Sequence, residues 1–140
     1  MSKLYVWTNS YLSDLQKGIQ TAHLVNLLHK RYNDPYLSEA KATFVDWAYL
    51  TDTVVVYAGG GQADLDDLKC LFEDNRNYDR YPFAAFLEDG NSLNGAMTAV
   101  GIILPEKFSK SEDRQDYMDR KIGDLFDWKL ADLLEESKLA

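Results

Sequence analysis

Apolar residues recur along this chain in two rhythms. Four stretches carry them in short dense or alternating runs, at residues 3–8, 53–58, 82–87 and 97–104, and these predict strands. The runs at 53–58 and 97–104 are nearly continuous and rich in β-branched residues, the pattern of strands buried on both faces by helices. Between the last two runs, residues 88–95 are a cluster of turn formers that includes Asn94-Gly95. Such a connection predicts an antiparallel pair joined by a loop, and hence a mixed sheet.

The second rhythm is helical. Residues 14–31 place Leu15, Ile19, Ala22 and either Leu27 or Asn26 on one face that is expected to point inward, with Lys30 and Arg31 suiting the negative end of the helix dipole. Asp34-Pro35 reads as a cap and first residue of a second helix, running to about residue 50 through Leu37, Ala40, Phe44, Trp47 and Ala48. A third helix is expected over 62–77, turning Leu65, Leu68, Cys70 or Leu71, and Phe72 inward. A final one, over 112–138, carries Met118, Ile122, Leu125, Phe126, Leu130, Leu133 and Leu134 as an apolar stripe between acidic residues. That stripe is wide enough to dock on the sheet or on a second subunit. The predicted organisation is an α/β domain over residues 1–108, a mixed four-stranded sheet sandwiched by helices, with an acidic C-terminal amphipathic helix over 109–140. Residues 106–113 read as a polar, mobile connection.

At 140 residues and 46% hydrophobic content the chain supports one core rather than two. The net charge of −8 is unevenly spread: residues 1–60 hold five basic and five acidic side chains, whereas 61–110 and 111–140 each hold five against nine. A protein that grips a long phosphate backbone needs a basic face, so an extended nucleic-acid surface is not expected, while the neutral first half leaves room for a small anion. The lone Cys70 excludes an internal disulfide and, on its apolar helical pattern, reads as a buried residue. No apolar run reaches the roughly 20 residues of a membrane span, and no leader-like stretch opens the chain, so a cytoplasmic protein is expected.

The candidate chemistry gathers at Asp14-Leu-Gln-Lys17-Gly-Ile-Gln20-Thr-Ala-His23, the opening of a helix directly after an apolar strand. Ligands of open α/β sheets bind beyond the carboxyl ends of strands and beside helix N-termini. Lys17 opposes the dipole there unless an anion compensates it, and Thr21, four residues on, shares its face, so ammonium and hydroxyl are positioned to address one phosphate or carboxylate. His23 has two readings, a buried histidine bonded to a carbonyl or a general base, and His29 reads as a surface residue near terminal carbonyls. Glu88 and Asp89 close the third strand, as ligands for hydroxyls or as turn formers. Tyr11, Tyr78 and Tyr81 are placed to line a mouth where a ring would stack. Gly59-Gly-Gly61 reads as a turn or as an anion nest, with Asp64, Asp66 and Asp67 opposing the second. The spacing of the two histidines fits no zinc pair, and no cofactor motif is present, so neither metal nor cofactor is expected.

These residues resemble the peptidyl-tRNA hydrolase 2 family. The resemblance runs from about residue 3 to 105 and rests on the opening strand, Gln20-x-x-His23, the valine-rich second strand, Leu87-Glu-Asp89 and the ending Thr98-Ala-Val-Gly101-Ile-Ile-Leu-Pro105. It implies a mixed four-stranded sheet between helices, a homodimer, and hydrolysis of the peptidyl-tRNA ester at the tRNA end through Lys17, His23, Asp89 and Thr98. The chain departs from the family pattern where Asp14 and Gln16 stand in place of two lysines, and where Asn91, Ser92 and Leu93 replace an expected arginine and threonine. The expectation is therefore a non-hydrolytic binder of a small nucleotide-like or anionic ligand, held by Lys17, Gln20, Thr21 and Tyr11 with Asp89 and Thr98 across the cleft. Sequestration of a nucleotide signal by a viral or mobile-element protein is one form of that role. The alternatives are an active peptidyl-tRNA hydrolase and an interaction module using the C-terminal helix.

Overall fold

The computed structural model describes residues 1–33, 38–73, 80–88, 96–108 and 125–140. Strands β1 (Lys3–Thr8), β2 (Val54–Ala58), β3 (Phe83–Leu87) and β4 (Met97–Leu104) form one open sheet in the order β2-β1-β4-β3. β1 and β2 are parallel, while β1 with β4 and β3 with β4 are antiparallel, so the sheet is mixed. The helices are α1 (Asp14–Arg31), α2 (Glu39–Asp46), α3 (Gln62–Glu73) and α4 (Leu125–Glu136). Among the described residues no helix is long and apolar enough to cross a membrane.

Alternation along the strands builds a core on each face. Leu4, Val6, Ala99 and Ile103 meet Leu24, Leu28, Tyr32, Phe44 and Trp47 from the α1 and α2 side. Tyr5, Trp7, Val100, Ile102 and Leu104 meet Leu65, Phe72, Leu130, Ala131 and Leu134 from the α3 and α4 side. Central β4 is buried at every position, as its unbroken apolar run predicts. Gly101 lets α1 lie close: a Cβ there would stand 2.5 Å from Leu24 Cδ2.

The inward face of α1 is the reverse of the one its apolar stripe predicts. Gln20, Thr21, Leu24 and Leu28 are buried, whereas Leu15, Ile19 and Ala22 face solvent, with Asn26 also exposed and Leu27 half-buried. Leu24 and Leu28 sit over the sheet, and a rigid helix that turns these two inward turns residues four and seven positions earlier inward with them. Lys17 and Gln20 follow, at the expense of Leu15 and Ile19.

Other expectations are corrected in smaller ways. α2 starts at Ser38, whose side chain accepts from the Lys41 N–H at 3.0 Å, rather than at Asp34-Pro35, which lie with Leu37 outside the described residues. It ends in a π-helical turn, Trp47–Thr51. β2 is at the sheet margin and only partly buried, because burial follows strand order and not the β-branched run itself. Its outer side pairs with the segment around Leu139, Ala58 N–H donating to the Lys138 carbonyl at 2.8 Å and Ala140 N–H to the Val56 carbonyl at 3.1 Å. Cys70 is exposed, its place in α3 falling on the side away from the buried Leu65 and Phe72. α3 is described as far as Glu73, and the parts of the third and final predicted helices at 74–77 and 112–124 lie outside the described residues.

Candidate functional site

The parallel strands β1 and β2 end side by side, and the loops that leave them are stitched together. Ser10 N–H donates to the Gly60 carbonyl at 2.8 Å, and Gly60 N–H returns a bond to Ser10 Oγ at 3.0 Å. Gly59 N–H donates to the Thr8 carbonyl, and Gly61 N–H to the Asp64 carboxylate at 2.9 Å. Gly60 alone of the three has a positive φ, 77°, which glycine adopts without strain. All three amides that an anion nest would use are spent on protein acceptors, so the triple glycine is a turn.

Beyond this turn α1 opens with a reciprocal cap. Ser13 Oγ accepts from Gln16 N–H at 3.2 Å, and Gln16 Oε1 accepts from Ser13 N–H at 3.0 Å. This arrangement satisfies two of the helix's orphan donors. Gln16 thus has a structural task. Tyr11 stands in the preceding loop with 89% of its surface exposed and touches neither flank described below, contrary to the expectation that it lines a mouth.

The predicted cluster is divided by the helix itself. On the β4 flank, Gln20 Nε2 donates to Glu88 Oε2 at 3.0 Å, and Thr98 Oγ1 donates to Gln20 Oε1 at 3.1 Å. Thr98 reaches α1 because of a bulge. Phe86 pairs with Ala99 but Leu87 pairs with Met97, so Thr98 is the extra residue, and its side chain turns to the same face as Ala99. Met97 meanwhile joins the opposite core and its N–H donates to Gln62 Oε1 at 2.8 Å. Thr8, on the α1 face at the end of β1, holds a buried hydroxyl with no hydrogen-bond partner. His23 is exposed and stacked on Phe86, ring centroids 4.7 Å apart at 11°, which corrects the first of its two readings, the buried, carbonyl-bonded histidine. Asp89, like Tyr78, lies outside the described residues.

On the β2 flank, Lys17, Gly18, Thr21, Ala22 and Val25 of α1 face Val54 and Val56 across a pocket of about 530 Å³, with Asp14 at its lip and Ala140 beside it. The walls are mostly apolar. The Lys17 side chain is largely shielded, and its ammonium stands 4.0 Å from the exposed Asp14 carboxylate, too far for a direct hydrogen bond. Thr21 Oγ1 donates its proton to the Lys17 carbonyl at 2.8 Å. The pairing of ammonium and hydroxyl on one anion is therefore corrected: Thr21 can only accept in the pocket, since its single proton stays within the helix.

Two further polar regions lie outside the predicted cluster. A pocket of about 640 Å³ at the far end of α1 is bordered by His29, Lys30, Tyr32, Lys41 and Tyr49. His29 Nδ1 lies 2.9 Å from the Val25 carbonyl, as expected for a histidine near a helix end, and Lys41 donates to the Tyr32 carbonyl. On the opposite face of the sheet, Asp127 is buried and bound by Tyr81 Oη at 2.8 Å, Lys107 Nζ at 3.1 Å and Arg80 at 3.4 Å. Burial, and then the hydrogen bond to Asp127, push the Tyr81 phenol far above its usual pKa. Tyr81 is thus a locked core residue and not part of a ligand mouth. The sequence signal for this network is Asp127 within the apolar run from Leu125 to Leu134, but its partners lie 20 to 47 residues away. Compared with protein-family models and with curated proteins, the chain matches none.

Proposed function

We propose that this chain is a non-hydrolytic binding protein on a peptidyl-tRNA hydrolase 2-like scaffold, holding a small nucleotide-like or other anionic ligand between α1 and β2. The observation that carries this reading is the division of α1. On one flank Gln20, Thr98 and Glu88 satisfy each other, so the hydroxyl that a hydrolase would turn toward an ester is buried and bonded within the protein. On the other, Lys17 borders an apolar pocket with its ammonium not directly bonded to a carboxylate. Asp14 and Gln16, standing where the family has lysines, add no cation. Ligand contact falls to Lys17, with Thr21 as an acceptor beside it and the valines as walls, whereas Gln20 and Thr98 hold α1 in place.

Thermal-shift measurements against a nucleotide panel test the reading. A ligand that binds the native state at about 100 times its Kd adds about 2.7 kcal/mol of stability. The expected outcome is a raised Tm with at least one nucleotide and none in Lys17→Ala. Release of peptide from a peptidyl-tRNA mimic, lost in Lys17→Ala, would instead establish the hydrolase.

A homodimer is the partner state that the outward face of α1 favours. Leu15 and Ile19 are exposed side by side on that helix. The C-terminal helix offers less for an interaction module, since its Leu130, Ala131 and Leu134 are used in the core.

A further inference from the structure

We infer that the α1–β2 pocket selects a ligand with a single negative charge on an apolar body and rejects polyphosphates. The inference rests on the reading of that pocket as the ligand site and names its ligand class.

The donors available to an anion are few. Among the described residues lining the pocket, Lys17 is the only cation, and the exposed Asp14 carboxylate 4.0 Å from it adds an opposing charge at the pocket's polar end. Thr21 has spent its proton on the Lys17 carbonyl and offers lone pairs, which repel an anion. Several nearby amides of the kind that cradle phosphates are spent: Gly59, Gly60 and Gly61 on Thr8, Ser10 and Asp64, and Gln16 on Ser13. One ammonium neutralises one charge. Each further phosphate charge would meet lone pairs, Asp14 and a chain of net charge −8, with nothing to offset its desolvation.

The rest of the pocket asks for the opposite chemistry. Ala22, Val25, Val54 and Val56 present apolar surface, and about 530 Å³ falls within the range of small-molecule sites. A ring or branched chain would lie against the valines, with one carboxylate or one phosphodiester reaching Lys17. Cyclic mononucleotides and aryl or alkyl carboxylates share this chemistry, and the two sources are separated by experiment.

Calorimetric titration of the full chain with cyclic adenosine monophosphate, 3-phenylpropanoate and adenosine triphosphate tests the inference in wild type, Lys17→Gln and Asp14→Asn. At least one monoanion is expected to bind wild type, and the triphosphate to bind about tenfold or more weaker than that monoanion. The monoanion that binds tells a nucleotide from a carboxylate source. Lys17→Gln should lose that binding by at least about tenfold, and Asp14→Asn should narrow the gap between monoanion and triphosphate. Triphosphate binding as tight as the monoanion's in wild type overturns the charge limit and leaves the pocket reading intact. Silence of all three probes in wild type overturns the pocket reading itself. Unchanged binding in Lys17→Gln moves the ligand elsewhere and overturns both.

Discussion

Helices α1 and α4 both bury polar side chains against the sheet, but they do so on different terms. α4 follows its apolar stripe, with Leu130, Ala131 and Leu134 in the core, and its one buried charge, Asp127, receives a phenol, an ammonium and a guanidinium. α1 turns Gln20 and Thr21 inward and leaves Leu15 and Ile19 outside. Its buried groups are neutral, they draw on few partners, and Lys17 at their edge faces an open pocket. A charge surrounded by partners from other elements ties those elements together, because removing it breaks several bonds at once. A cation whose nearest carboxylate among the described residues stands at 4.0 Å contributes little to the fold and remains available to a ligand.

The contrast is sharpest in stability. Asp127→Ala removes the acceptor of a buried phenol and a carboxylate shared by two cations and is expected to cost about 3 kcal/mol, near the lower end for a broken buried pair because Arg80 and Lys107 reach solvent. Lys17→Gln should stay within about 0.5 kcal/mol. Chemical denaturation of both variants checks this, and comparable losses would erase the distinction between the helices. The same network has a pH signature. The folded pKa of Tyr81 is raised, so the stability of its buried neutral phenol is present below about pH 10 and lost as pH rises further, while the unfolded chain ionises. Tyr81→Phe should flatten that alkaline decline.

A middle-sized effect is expected on the β4 flank of α1. Gln20→Ala leaves the buried Thr98 hydroxyl without its acceptor and should cost about 1–3 kcal/mol. Gln20→Leu combined with Thr98→Val should cost less than the sum of the two single changes, since removing both partners strands neither. Simple additivity in that double-mutant cycle would mean that the two groups are not coupled.

The smallest effect on folding is predicted for the outward face of α1. Ile19→Glu, at an exposed position, should leave the Tm within a few degrees while converting a dimer to a monomer in light scattering. A wild-type chain that is already monomeric at tens of micromolar would remove the dimer reading.

Much of the fold was legible in local pattern. The four strands stand where short apolar runs place them, and β3 and β4 pair antiparallel as the turn formers between them predict. α1 begins at Asp14 behind a capping Ser13, and His29 meets a helix carbonyl. Less of the site was legible. The stripe at Leu15, Ile19 and Ala22 matches helical spacing as well as Leu24 and Leu28 do, and only the packing of the latter pair on the sheet decides between them. The bulge that turns Thr98 toward Gln20 leaves no mark in a strand whose residues are apolar on both faces. Cys70 was misplaced for the same reason: a short apolar context says that a residue is near a core, not on which side of its helix the core lies.

The sequence by itself determined the kinds of element, their order, the acidity of the second half and the clustering of Lys17, Gln20, Thr21 and His23 within seven residues. These are short-range properties, set by spacing, turn chemistry and caps. Tertiary structure alone decided that the cluster is split, with Gln20 joined to Glu88 and Thr98, 68 and 78 residues away, and Lys17 left beside the valines of β2. It also revealed that the Thr21 proton is spent within the helix and that the glycine amides are spent between loops. Which donors remain free is a matter of who else is near, and a linear pattern carries no record of that.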